Sequence, residues 1–298
     1  MSLRAIQPSR GTEALNLNVT AADRDSVADF LDSAGLRPDS GSMTDSLWAT
    51  HQAFHRRALY ENLSKINRLA AYRDPVPERL ETPSVLLRNL LEKGTGGTCY
   101  SLAYNLAALM EAMGIPSYLT LNDLGGRRAN HAAVVAVIDN TTWLCDPGLQ
   151  LRDPIPFSPT ATRVSDNGWG QVSVTPTEPA GRYWVRQTNG AEEWDAFQFY
   201  SEPVSEEEFR AVWQGSYNGP MMRTFHLFRH CGGHTRHLIW GTYSEMRPNE
   251  VREKLPLTEA EALGKITHIW PEVPAGHVES AQDAVRGWGG SPIWGPPV

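Results

Sequence analysis

Cysteine is scarce in this chain. Its 298 residues hold only three, Cys99, Cys145 and Cys231. An odd, widely spaced set makes a poor disulfide framework and leaves at least one thiol free. Long apolar runs are missing too. The opening Met1-Ser-Leu-Arg-Ala-Ile-Gln-Pro leads into no signal-peptide core, and no later stretch has the length to cross a bilayer. The expectation is a protein of the reducing cytoplasm with no membrane partner. Positive charge is also short. Lys plus Arg number 27 against 34 Asp plus Glu, a formal net charge of −7, which argues against a broad nucleic-acid surface but leaves room for a local basic patch. No phosphate-cradling Gly-Lys-Ser/Thr loop and no dinucleotide fingerprint occurs, so any phosphorylated co-substrate would have to bind in a cleft between sub-domains and not on a recognisable loop.

What is present reads as an ordinary globular chain, 41% hydrophobic and 20% charged, long enough for two or three sub-domains around one cleft. Ten Trp and 21 Pro point to loops and aromatic packing. From Asp23 to about Leu91 apolar residues recur three and four apart, the period of amphipathic helices, with Asp45 as a candidate cap. Pro75, Pro77 and Pro83 break this region, and a helix from Ser84 to Lys93 stops at Gly94. Gly96-Gly97-Thr98-Cys99 then leads into a strongly apolar helix ending before Gly114. Beyond it the period changes to that of strands, at Ser117 to Leu121, His131 to Ile138, Thr142 to Cys145, Gln171 to Thr175, Gly181 to Thr188 and Trp194 to Tyr200. This portion reads as a curled, barrel-like antiparallel sheet. Ser205 and Glu208 fit a capping box, Thr224 to Trp240 reads as a hairpin turning at Cys231-Gly-Gly, and Leu257 to Ile269 as a last helix. The Gly/Pro/Trp-rich tail from Gly287 is either loose or anchored on the body by its two Trp residues.

Cys99 has the most informative surroundings. The double glycine allows a sharp turn, and a helix beginning at the cysteine aims amide N–H groups and a positive dipole end at its sulfur. Both favour thiolate, and the same amides suit a tetrahedral oxyanion. A buried structural cysteine is the plainer reading of that motif alone. His131 heads an apolar strand and Asp146 ends the next one. If the strands are neighbours, the carboxylate orients an imidazole whose other nitrogen faces Cys99, giving nucleophile, base and orienter. The plainer alternative is a hydrogen-bonded turn histidine and a strand-ending aspartate.

Four short stretches, Tyr60-Glu-Asn-Leu, Gly96-Gly-Thr-Cys-Tyr, Asn130-His131 and Asp146-Pro-Gly, occur in an order that resembles the arylamine N-acetyltransferase family. The resemblance is good from about Tyr60 to Pro154 and looser from Phe225 to Ile269. It implies an α+β fold with an N-terminal helical bundle, a central antiparallel β-barrel and a C-terminal α/β lid, with Cys, His and Asp in papain-like geometry. The matching division of the chain is 1–95, 96–200 and 201–298. It further implies that Cys99 takes an acyl group from a thioester, that His131 moves the proton and that Asp146 fixes the imidazole. Acetyl-coenzyme A or another acyl thioester is the implied co-substrate, with no tightly bound cofactor, and a small amine or hydroxylamine is the acceptor.

The chain departs from the family pattern at four positions. Thr95 stands for the usual arginine, Ser101 for a glutamate, Ala103 for an asparagine and Gln150 for a glycine. These departures keep two alternatives open, an amide synthase fed by a carrier-protein-bound acyl chain and a non-catalytic binding module that kept the fold. An acyl-enzyme that accepts water would make a thioesterase or amidase. Thr98, Gly126 and Arg127 are the candidate donor contacts, although Gly125-Gly-Arg-Arg reads more readily as a simple solvated turn. His226, His230, Cys231, His234 and His237 cluster on the hairpin. The short Cys-to-His spacing, the missing second Cys pair and the strand alternation oppose a zinc site, so no metal is expected and the cluster reads as a polar hairpin near a cleft.

Overall fold

A computed structural model describes residues 17–38, 41–72 and 79–293 of the chain. Pro75, Pro77 and Trp294 lie outside the described residues.

The first part is helical, with α1 (Ala21–Ala34), α2 (Met43–Arg57), α3 (Leu63–Ala71), α4 (Pro83–Lys93) and α5 (Cys99–Ala112), interrupted by a two-residue strand, β1 (Tyr60–Glu61). The helix starts are chemically explicit. Thr20 and Asp23 close a capping box on α1. The cap of α2 is Ser42, whose Oγ accepts from Asp45 N. Asp45 therefore serves as the third helical residue and not as the cap, a shift of one turn from the sequence reading. In α5 only the last two residues escape full burial, so this helix is the axis around which the others pack.

Eight strands follow: β2 (Ser117–Leu124), β3 (Arg127–Ile138), β4 (Thr141–Cys145), β5 (Ile155–Phe157), β6 (Arg163–Asp166), β7 (Gln171–Thr177), β8 (Arg182–Thr188) and β9 (Glu193–Tyr200). All pair antiparallel in the order β5-β4-β3-β2-β9-β8-β7-β6, and the two edge strands meet, so the sheet nearly closes into a barrel. Alternation along β3 explains its place. Ala132, Val134 and Ala136 pack with α5, while Ala133 and Val135 turn into the barrel core with Phe197 and Phe199. The β2–β3 hairpin is longer than its sequence pattern suggested. His131 lies four residues inside β3 rather than at its head, because Gly125 and Gly126, both at positive φ, tighten the turn beyond it.

The last part carries α6 (Glu206–Gly215), a meander of β10 (His226–Cys231), β11 (His234–Ile239), β12 (Thr242–Met246) and β13 (Glu253–Pro256), then α7 (Glu259–Ile269) and α8 (Ala275–Gly287). β10 pairs with β1, making a five-stranded sheet in the order β1-β10-β11-β12-β13. The fold is thus α+β, as expected. β12, β13 and α8 were not legible as elements. The tail is anchored as far as Ile293, with Phe225 N and Thr224 Oγ1 both donating to Pro292 O and Trp288 packed on the core.

The loop before α5 is stitched to β1. Glu61 N donates to Gly97 O and Gly97 N to Leu59 O, forming a parallel bridge. This close approach is the reason for the glycines. Neither Gly96 nor Gly97 has a positive φ, but a Cβ on Gly96 would collide with the Leu59 carbonyl oxygen. The double glycine is there for contact and not for a turn, which corrects the sequence reading. Gly96→Ala is therefore expected to lower the unfolding free energy by about 3 kcal/mol, read as a lower urea midpoint. An unchanged midpoint contradicts the close approach.

Candidate active site

Cys99 is the first residue of α5, and Thr98 stands at the N-cap with extended backbone. The first amides of a helix have no partners within it, so those of α5 surround the Cys99 position with donors. The preceding loop is held from below by Glu61, whose buried carboxylate accepts from Gly96 N (3.0 Å), Ser64 N (2.9 Å) and Ser64 Oγ. Tyr100 reaches the other way, its hydroxyl donating to Ala129 O at 2.6 Å. That bond ties the start of α5 to the strand that carries His131.

His131 and Asp146 come from neighbouring strands, as the pairing of β3 with β4 requires. The imidazole Nε2 lies 2.6 Å from Asp146 Oδ2, and both residues are buried. Cys99 stands beside this pair, its thiol donating to the carbonyl of Asn130, the residue before His131, at 4.0 Å. Asp146 is fixed in turn, its Oδ1 accepting from Leu149 N at 2.8 Å. Phe197 covers the imidazole, ring centroids 4.5 Å apart. Burial by itself would drive the proton off His131. The Asp146 charge and hydrogen bond, together with Cys99, outweigh it and raise the imidazole to about 10. His131 is therefore held as an imidazolium beside the sulfur.

The turn after Asp146 closes over this pair. A Cβ on Gly148 would stand 2.7 Å from Cys99 Cβ and 3.1 Å from His131 Cε1. Gln150 adopts a positive φ of 56°, a conformation that suits glycine better, and its side-chain amide donates to Ala58 O and Pro147 O. Ser101 Oγ donates to Thr98 O, while the Thr95 hydroxyl is buried without a partner among the described residues. The four departures from the family pattern are thus all interior.

The structure brings Cys99, His131 and Asp146 together. Of the candidate donor contacts, Thr98 adjoins Cys99 and keeps a buried hydroxyl without a partner among the described residues. Gly126 and Arg127 are exposed at the tip of the β2–β3 hairpin, four strand residues or roughly 13 Å from His131. Tyr60, Glu61, Gly148 and Phe197 went unassigned in the sequence. Tyr60, Glu61 and Gly148 stood in quoted motifs without a role, and nothing local signalled Phe197.

Strand alternation sorts the hairpin histidines. His226, His230 and His237 share the face of Tyr60, while Cys231 and His234 take the other. The His226 and His237 Nε2 atoms are 2.7 Å apart, so one donates and one accepts, and the His226 ring packs on Tyr60 at 4.8 Å. Burial pushes His237 down to about 4 and His226 further below its ordinary range, leaving both neutral. No group of three or more His, Cys, Asp or Glu among the described residues is arranged to hold a metal ion.

A family model described as N-acetyltransferase matches residues 44–266, three quarters of the chain. The chain belongs to the N-acetyltransferase family. No curated protein matches it. Solved structures similar to this N-acetyltransferase fold include the arylamine N-acetyltransferase of Mycobacterium abscessus, with 18% identity, a TM-score of 0.72 and coverage of 91% of this chain and 99% of that one. The Nocardia farcinica arylamine N-acetyltransferase gives 19% identity and a TM-score of 0.68, covering 86% and 92%. A Bacillus cereus arylamine N-acetyltransferase, described as having a Cys-His-Glu triad, gives 16% identity and 0.60, covering 82% and 96%. The resemblance read from four short motifs therefore holds across the family. No helix among the described residues is long and apolar enough to cross a membrane.

Proposed function

We propose that this N-acetyltransferase family member moves an acetyl group from acetyl-coenzyme A to a small arylamine, hydrazine or hydroxylamine through an acyl-cysteine on Cys99. The observation that carries the reading is an imidazole held by Asp146, whose charge and hydrogen bond favour its protonated form, beside Cys99 at the start of a helix. The Cys99 thiolate adds to the thioester carbonyl, and the first amides of α5 stabilise the oxyanion. Collapse of the adduct breaks the carbon–sulfur bond to coenzyme A, and His131 gives its proton to the departing sulfur. The acceptor nitrogen or oxygen then adds to the acyl-cysteine, the now neutral His131 takes its proton, and the thiolate leaves. Coenzyme A is a dissociable co-substrate in this scheme. The Thr98 hydroxyl is the proposed contact near the thioester, with Gly126 and Arg127 at the outer edge of its path.

Intact-mass spectrometry after incubation with acetyl-coenzyme A tests this. The wild type is expected to gain the mass of one acetyl group, to lose it when an arylamine is added, and to gain nothing as Cys99→Ser. An adduct that persists in Cys99→Ser, or no adduct on the wild type, overturns the reading.

A further inference from the structure

Strand β3 breaks its regular geometry two positions before His131. Among the described residues other than glycine that take a positive φ, Ala129, at 50°, lies inside a strand, and the others lie between elements. Alanine has no polar side chain to support the left-handed conformation, so its surroundings must hold it there. The pairing shows what the distortion does. Asn122 pairs with His131 and Leu124 with Arg127, so residues 128–130 of β3 stand opposite the single Asp123. Bulges bend a strand and re-aim the side chains beside them, and they recur next to active sites.

Ala129 is pinned from both sides. Its amide donates to Asp123 Oδ1 at 2.9 Å, and its carbonyl accepts from the Tyr100 hydroxyl at 2.6 Å. Asp123 is fixed in turn by β9, where its Oδ2 accepts from Tyr200 Oη at 2.8 Å and its backbone pairs with Gln198. The Asn130 side chain closes the bulge, its Oδ1 accepting from Leu124 N at 2.8 Å. Three consecutive residues thus form the seam between α5, β3 and β4: Ala129 meets Tyr100, Asn130 meets Cys99, and His131 meets Asp146. Regular pairing satisfies strand amides within the ladder. At Ala129 and Leu124 two side chains do so, and the distorted segment is the one that faces the nucleophile.

We propose that Asp123 is a positioning residue for acyl transfer: by clamping the Ala129 bulge against Tyr100 it sets how the Asn130–His131 segment approaches Cys99. The inference rests on the acyl-cysteine reading of the site. It gives a carboxylate of β2, one strand removed from His131, control over the distance between nucleophile and base.

The test is single-turnover acetylation of Cys99, followed by intact mass over a range of acetyl-coenzyme A concentrations. Asp123→Ala is expected to acetylate about 30-fold more slowly. That is less than the roughly 100-fold loss for a displacement of about 1 Å, because Tyr100 still holds Ala129 from the other side. The half-saturating donor concentration should stay within about twofold of wild type. Asp123→Asn keeps an oxygen for the Ala129 amide and offers an NH2 to the Tyr200 hydroxyl, so its rate should return to within about threefold of wild type. Adding Ala129→Gly to Asp123→Ala should recover about tenfold, because glycine takes the left-handed conformation without a clamp. A merely structural aspartate would lower the Tm of Asp123→Ala and leave the rate of the folded protein unchanged, which overturns the proposal. So does a loss confined to half-saturation, which would make Asp123 a donor contact, and so does an Asp123→Asn variant as slow as Asp123→Ala. If Asp123→Ala does not fold, Asp123→Glu takes its place, with its acceptor one methylene out of position. Acetylation about tenfold slower then supports the clamp, and the wild-type rate overturns it. Alkylation of Cys99 by iodoacetamide, which needs no donor, separates the two readings. No acetyl adduct on wild type, together with alkylation several-fold slower in Asp123→Ala, would refute the acetyltransfer reading and leave the clamp standing.

Discussion

Asp146→Asn is expected to fold and to lose turnover by about 10⁴-fold. Asp146 Oδ1 accepts from Leu149 N, so the asparagine will keep its own oxygen there and turn its NH2 toward His131 Nε2. That nitrogen must then accept, which forces the ring proton onto the nitrogen facing Cys99. A neutral imidazole in that tautomer has no lone pair to take a proton from the thiol or from the acceptor amine. The charge is lost as well. In wild type the carboxylate is the main group that holds the imidazole at about 10 against burial, and without it only Cys99 opposes burial, so the ring loses its proton at a lower pH. The stability consequence has a definite sign. A histidine whose folded pKa exceeds its unfolded value contributes its full stabilisation below 6.5 and loses it as pH rises through about 10. Wild type should therefore exceed Asp146→Asn in urea midpoint near pH 6, with the gap closing toward pH 10. Turnover in Asp146→Asn within tenfold of wild type would show that the carboxylate does not orient the base.

The parts of the site that were legible in the sequence are those whose causes are local. Cys99 at the head of an apolar helix, a stop at Gly114 and His131 on a strand are set by spacing and by neighbours within a few residues. The nonlocal parts were silent. β1 is two residues long and means nothing until it meets Gly97 on one side and β10 on the other, where Tyr60 pairs with Phe228. Through that strand the C-terminal sheet and the Cys99 loop share one hydrogen-bonded seam. Lys65 looks like a solvent-facing residue of a short amphipathic helix, and only the docking of Ser216, Tyr217 and Tyr100 around it makes it interior. α8 hid because the residues it buries, Val278, Ala281 and Val285, are small and sparse. The double glycine was found in the right place for the wrong reason, since a Cβ clash with a strand far back in the chain leaves no mark on local sequence.

Gly148→Ala is expected to slow acetylation of Cys99 by at least about 100-fold while leaving the fold intact. The added methyl would sit 2.7 Å from Cys99 Cβ, 3.1 Å from Cys99 Cα and 3.1 Å from His131 Cε1. None of these atoms is the free end of a flexible side chain. Two belong to the first residue of a buried helix, and the third to a ring fixed by Asp146 and covered by Phe197. Relief must come from the turn, which is tied by Leu149 N to Asp146 Oδ1, by Leu151 N to Asp146 O and by the Gln150 side chain to Ala58 O. Moving Gly148 away therefore drags Asp146 with it and pulls the imidazole off the sulfur, and a displacement of about 1 Å at reacting groups is enough for a 100-fold loss. The cost to stability is smaller than for Gly96→Ala, because the added Cβ comes no nearer than 2.7 Å to its neighbours, whereas at Gly96 it would stand 1.7 Å from the Leu59 carbonyl oxygen. Circular dichroism and a urea midpoint near that of wild type, together with slow acetyl-adduct formation and a slow reaction with iodoacetamide, is the expected pattern. Adduct formation at the wild-type rate would mean that the turn does not seat the three residues. Slow acetylation with alkylation unchanged would place the methyl in the path of the acyl group and leave the contact between Cys99 and His131 undisturbed.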